Sequence, residues 1–189
     1  MEVYRADLVN TDELMVSDVF PIELSDGEQC EVIVIAIENG NAVCTNIDAL
    51  KNPIRMNRTH TTEGGYLASE MRQYLNTELL ERFPEELRNK LVADENGDYL
   101  RLFTEKEVFG TNRWAEETEP KETEQYEYFK NRRNRIALNG HNGDYPDWWW
   151  LQNPASATHF CYCSNYGDSS CNGAGYADFY VRPRFVIKM

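Results

Sequence analysis

The run Glu31-Val32-Ile33-Val34-Ile35-Ala36-Ile37, then Asn39-Gly40, then Ala42-Val43-Cys44-Thr45-Asn46-Ile47 restricts the fold more than any other stretch of the chain. Side chains branched at Cβ pack well on a pleated surface and lose rotamer freedom in a helix, so both flanks read as strands. Asn-Gly supplies the positive φ angles of a two-residue turn, which makes the flanking strands antiparallel. At least one antiparallel sheet is therefore required. Val16, Val19, Phe20, Pro21 and Ile22 ahead of the hairpin offer it an edge strand.

Helical signals come next. Leu67, Met71, Tyr74, Leu75 and Leu79 recur at helical spacing after Gly64-Gly65 and predict an amphipathic helix over 67–79. Pro84-Glu85-Glu86 suits the first turn of a shorter helix through Leu87 and Leu91. Asp94 to Asp98 reads as a turn and Leu100 to Phe103 as a short strand, and Thr104 with Glu107 forms a capping box ahead of Gly110. Ala115 to Gln125 has no apolar period and reads as a solvated loop, while Tyr126 to Ala137 is compatible with a further helix. Strands and helices in this order, over 189 residues of which 41% are hydrophobic, predict one α+β domain spanning 1–189.

The composition changes after Asp144, where Trp, Tyr, Asn, Ser, Gly and Cys take over. The formal net charge is −13, yet residues 130–189 hold seven Lys and Arg against four Asp, a local +3 that leaves −16 on residues 1–129. Such acidity repels phosphate backbones and anionic lipid heads, so neither nucleic acid nor membrane is an expected partner. The start, Met1 to Asp7, has neither the basic residues nor the apolar run of a secretory signal, and no stretch has the apolar length of a membrane span. Five cysteines, an odd number, fit reduced thiols. A cytoplasmic or virion-associated chain is the expectation.

In the last third, short strands are expected at Trp148 to Leu151, Thr158 to Cys163 and Tyr180 to Lys188, the last with Val181, Pro183, Phe185 and Ile187 on one face and Arg182 and Arg184 on the other. Arg182 and Arg184 most simply pair with the acidic front half. Asp147-Trp148-Trp149-Trp150 places Trp148 and Trp150 on one side of a strand and Trp149 on the other. Cys161 to Tyr180 mixes rigid tyrosines with adaptable Ser, Asn and Gly, the composition of loop-built recognition surfaces. Trp148, Trp150, Tyr162, Tyr166, Tyr176 and Tyr180 are candidates for apolar ligand contact, and Asn165, Asp168, Asn172 and Asp178 for polar specificity.

Catalytic and metal signals are weak beside these. His159-x-Cys161-x-Cys163 lacks the usual two-residue Cys knuckle, and Asn142, Asp144 and Asp147 offer few carboxylates for calcium, so no metal or other cofactor is expected. His60 and His141 have no paired nucleophile at a recognisable motif, and no Gly-x-Ser-x-Gly, Walker or dinucleotide fingerprint occurs.

Gly64-Gly65-Tyr66 with Ala68 to Asn76, Leu102 to Gly110, Tyr128 to Arg132 with Asn134-Arg135-Ile136, Trp149-Trp150-Leu151-Gln152-Asn153-Pro154 and Val181-Arg182-Pro183 with Phe185 together resemble a bacterial and phage domain family of unknown function. That family is assigned to the C-type-lectin-like fold, which also includes formylglycine-generating enzymes and diversity-generating variable proteins. Gln152 and Asn153 stand where the family usually has Arg and Ser, and Tyr180 where Gly commonly precedes Val-Arg-Pro. The resemblance implies helices packed on a twisted, mainly antiparallel sheet with a long irregular C-terminal loop region. With the aromatic segment, it implies recognition of a protein or glycan ligand, as a component of a phage or prophage particle, rather than catalysis. A formylglycine-generating-type oxidase and a purely structural or assembly domain are the alternatives.

Overall fold

The computed structural model of the chain describes residues 13–116, 120–139 and 145–189. In chain order the strands are β1 (Val19–Glu23), β2 (Gln29–Glu38), β3 (Asn41–Asn46), β4 (Leu100–Arg101), β5 (Ala137–Leu138), β6 (Pro146–Asp147), β7 (Trp149–Pro154), β8 (His159–Cys163), β9 (Ser169–Gly173) and β10 (Arg184–Lys188). The α-helical segments are α1 (Glu70–Tyr74), α2 (Leu80–Arg82), α3 (Glu85–Arg88), α4 (Glu105–Phe109) and α5 (Glu127–Lys130).

Five strands form the main sheet in the order β1-β2-β3-β10-β4, with every pairing antiparallel. Asn39 (φ 52°) and Gly40 (φ 74°) make the tight turn between β2 and β3, as the dipeptide predicts. Pro21 is accommodated because β1 lies at the sheet edge.

Both faces of this sheet are covered, which explains the unbroken Val-Ile-Val-Ile run. Val32, Val34, Ala42, Cys44, Phe185 and Ile187 share one core with Met71, Leu75, Leu79, Phe83 and Leu87 from the helical side. Ile33, Ile35 and Val43 point the other way and share a second core with Phe103, Val108, Phe129, Trp149 and Leu151. Each aliphatic side chain so buried contributes about 1.5–3 kcal/mol.

The predicted amphipathic helix is present over 70–82 but changes winding: α1 passes into a π turn, Leu75–Leu79, and then α2. Ser69 Oγ caps it by accepting from Arg72 N at 3.1 Å. At the π turn, Asn76 donates to Leu100 O (2.8 Å) and accepts from Tyr99 N (2.8 Å) and Leu100 N (3.1 Å), tying β4 to the helix. Pro84 is the N-cap of α3, and Thr104 and Glu107 complete the capping box of α4, closed by Gly110 at φ 79°.

The C-terminal third is more regular than its composition suggests. In place of one long irregular loop region, β7-β8-β9 form a three-stranded antiparallel sheet. The closing strand begins at Arg184 rather than Tyr180, because Pro183 cannot donate to a ladder flanked by β3 and β4 on both sides. Among the described residues no helix is long and apolar enough to cross a membrane.

Candidate functional site

The small sheet sets the candidate site. Register pairs Trp150 with Tyr162 and Tyr162 with Ser170, and Phe160 with Asn172, so these side chains share one face. Beyond β9, Ala174 N donates to Thr158 O (2.9 Å) and Tyr176 N to Gly173 O (2.9 Å), turning the chain back. It then runs beside β7, where Tyr180 N donates to Trp148 O (2.9 Å) and Trp150 N to Tyr180 O (3.1 Å). This return carries Phe179 across the face of the sheet.

Phe179 is the hub of an aromatic cluster that the sequence reading did not identify. It is 2% exposed, with ring centroids of Trp150 and Tyr162 at 4.5 Å, Tyr176 at 5.4 Å and Trp148 at 5.5 Å. Trp150 forms the floor: it is fully buried and its Nε1 donates to Ile54 O at 2.8 Å. Trp148 and Tyr162 are half-buried flanks, and Tyr176, 43% exposed, is the outermost ring. Among the described residues, the Tyr162 and Tyr176 hydroxyls and the Trp148 indole N–H have no hydrogen-bond partner. Asp178 is exposed, and Asn172 is half-buried with its Oδ1 taken by Gly173 N (2.7 Å).

The ten residues singled out from the sequence thus separate. Trp148, Tyr162 and Tyr176 meet around Phe179, with Asn172 on the same sheet face and Asp178 adjoining in the chain. Tyr166, 68% exposed, Asp168 and the half-buried Asn165 lie instead on the β8–β9 turn. That turn is built by Ser164 Oγ, which accepts from Tyr166 N and Asp168 N, and it is held from outside by Arg132, which donates to Tyr166 O (2.7 Å) and Asp168 Oδ2 (2.8 Å). Two residues are corrected outright. Trp150 lies in the core, and Tyr180, 8% exposed, packs against the second core because its strand-like bridge to Trp149 turns it inward.

Arg182 also departs from expectation. Instead of pairing with the acidic front half it is fully buried, donating to Asn46 O (2.7 Å), Asn134 O (2.7 Å) and Tyr128 Oη (3.3 Å), with its guanidinium 5.3–5.6 Å from the ring centroids of Phe129, Trp149 and Tyr128. Arg184 does reach the front half, at Glu38 (3.0 Å) and Glu107 (3.8 Å).

Three of the segments carrying the family resemblance, around Gly64-Gly65, Leu102 to Gly110 and Trp149 to Pro154, meet at a second place, a cleft of ≈ 570 Å³ lined by Gly65, Arg101, Thr104, Glu107, Gln152 and Asn153 among others. Their bonds are largely internal: Asn153 Oδ1 accepts from Glu105 N (2.6 Å), Gln152 N donates to Phe103 O (2.9 Å) and Arg101 clasps Glu107. These residues hold the α4 turn against β7.

His159, Cys161 and Cys163 do not form a metal centre with one another, and among the described residues no three His, Cys, Asp or Glu gather in a way that could hold an ion. Burial pushes the Cys163 thiol up to about 12, so it is protonated at neutral pH. The His141, Asn142 and Asp144 readings lie outside the described residues.

No curated protein and no solved structure matches the chain. A family model described as a domain of unknown function, DUF6273, matches residues 39–189, from the β2–β3 turn through β10 to the last residue, so that β1, all of β2 and what precedes them lie ahead of it. Covering most of the chain, that match makes the protein a member of the DUF6273 family.

Proposed function

We propose that this chain is a ligand-recognition domain of C-type-lectin-like architecture that binds a glycan or protein, on a cell or phage particle, through Trp148, Tyr162 and Tyr176. Supporting the architecture are the antiparallel main sheet with α1 to α3 on one face, and α4, α5 and a smaller sheet completing the second core on the other. The observation that carries the function is the cluster itself: three partly exposed rings stand on the buried Phe179, and their polar tips have no partner among the described residues. Rigid aromatic faces with unspent donors suit ligands that alternate apolar patches with hydroxyl or amide groups, and they lose little conformational entropy on binding. Asn172 and Asp178 supply polar contact beside them.

A glycan array and a displayed-peptide library, screened with the whole chain, test the reading and tell the two ligand classes apart. For whichever array gives a signal, Tyr176→Ala and Trp148→Ala should each weaken binding about tenfold or more. Tyr176 is exposed enough that its removal should shift stability by only about 0.5 kcal/mol. Tyr99→Ala, at an exposed tyrosine outside the cluster, should leave binding unchanged. Binding that survives both cluster substitutions would refute the assignment, and a lowered Tm with no ligand in either screen would favour the assembly role.

A further inference from the structure

On the opposite face of the small sheet from the aromatic cluster, Cys161 of β8 stands directly across from Cys171 of β9. The hydrogen bonds at the two ends of this ladder fix what kind of pair it is. Ala174 N donates to Thr158 O (2.9 Å) at one end and Ser164 N to Asp168 O (2.8 Å) at the other. Hydrogen-bonded and non-hydrogen-bonded pairs alternate along an antiparallel ladder, so 158–174, 160–172, 162–170 and 164–168 are bonded pairs and Cys161–Cys171 is a non-bonded one. At such positions the side chains approach most closely and the Cα atoms lie about 4.5 Å apart, within the roughly 4.4–6.8 Å that a disulfide spans. Neither chain needs to move far to be bridged.

We propose that Cys161 and Cys171 are a redox pair, which a hydroperoxide converts into a cross-strand disulfide that braces the β8–β9 hairpin. All five cysteines are thiols in the structure, and the geometry leaves the others out: Cys163 faces Ser169, while Cys30 and Cys44 belong to the main sheet. Cys171 is half-exposed and Cys161 fully buried, so the oxidant meets Cys171 first. Its thiol attacks the peroxide O–O bond, giving Cys171 sulfenic acid and, from hydrogen peroxide, one water. Cys161 Sγ then attacks the sulfenic sulfur. Its proton has an acceptor in place, since Glu105 Oε2 lies 3.7 Å from Cys161 Sγ, and the displaced hydroxide leaves as a second water. One peroxide is reduced, two thiols are oxidised, and the S–S bond replaces two S–H bonds. Burial, and then the charge of Glu105, push the Cys171 thiol upward, which keeps it protonated and makes its attack on peroxide slow, so what favours the pair is its position across the ladder rather than thiol reactivity.

The test uses the full chain with hydrogen peroxide as probe, followed by proteolysis without reductant and mass spectrometry. The expected product joins the peptides of Cys161 and Cys171, is lighter by two hydrogen atoms, lowers the titratable thiols from five to three, and reverts with dithiothreitol. The oxidised chain should melt roughly 5 °C higher than the reduced one. Cys171→Ser, at the half-exposed position, should fold normally and lose the cross-link. A link through Cys163, a dimer through Cys171, accumulation of Cys171 sulfinic acid with Cys161 still a thiol, or a cross-link that lowers the Tm would each overturn the proposal. The recognition reading stands or falls separately, because the two cysteines face away from its rings.

Discussion

Arg182 shows how far a single side chain can depart from what its type suggests. A guanidinium is weakly hydrated and planar, so it tolerates burial when its donors are matched and its faces meet rings, and both conditions hold here. Burial nevertheless pulls its pKa down from the usual arginine value. In Arg182→Ala, the carbonyls of Asn46 and Asn134 lose a donor inside the protein and the aromatic faces border a cavity. Each buried unsatisfied group costs about 1–3 kcal/mol, so the total destabilisation should be on the order of 3 kcal/mol or more. Arg182→Met fills most of the volume and removes the buried charge, so it should cost clearly less. Urea midpoints of the two variants check the order; equal losses would mean that the hydrogen bonds, not the packing, are what matter. No sequence pattern separates this arginine from Arg184 two residues on, which does find carboxylates, because the difference lies in partners distant in the chain, from Trp149 back to Asn46 for Arg182 and Glu107 and Glu38 for Arg184.

Elements with local signals were legible, and those defined by distant partners were not. The Asn39-Gly40 turn, the Ser69-capped helix and the Thr104–Glu107 capping box each encode their geometry within a few residues. Strand β9, Ser-Ser-Cys-Asn-Gly, lies inside the stretch whose composition suggests a loop-built surface, because its residues have poor strand propensity; it exists because β8 offers it a full ladder. Gly173 fits that strand for a reason visible only in three dimensions, since a Cβ there would collide with the His60 ring. The candidate site divides in the same way. Trp148, Tyr162 and Tyr176 were recognisable by type, whereas Phe179, which gathers them, looked like one more aromatic in a polar stretch. The capping box provides the element-scale test. Thr104 Oγ1 accepts from Glu107 N at 3.0 Å and Glu107 Oε2 from Thr104 N at 2.8 Å, so Thr104→Ala should cost about 1–2 kcal/mol and Thr104→Ser little, read from thermal or urea unfolding.

Across the whole molecule, acidity acts in two opposing ways that pH can separate. The net charge of −13 is concentrated in residues 1–129, so protonating exposed carboxylates relieves repulsion and by itself favours the folded state as pH falls. Glu107 works in the other direction. Its burial pushes the carboxyl up, but Arg101, Arg184 and the Thr104 N–H outweigh burial and hold it below the usual carboxylate range. Through those contacts it joins α4 to β4 and β10, and through Arg184 to Glu38 of β2. A carboxyl depressed in the folded state stabilises the protein fully above its unfolded pKa of about 4.3, and that contribution disappears as pH drops through the lower folded value. Glu107→Gln leaves Arg101 without its countercharge and should cost about 3 kcal/mol at pH 7. Relief of surface repulsion is common to both proteins, so the difference between their urea-unfolding free energies isolates Glu107. That difference should hold steady from pH 7 to about 5 and shrink steadily below about 4, as wild-type Glu107 takes up the proton that makes it resemble glutamine. A gap that stayed constant into strong acid would mean that Glu107 binds its proton equally well in the folded and unfolded chain, so that Arg101 and Arg184 do not hold its carboxyl down.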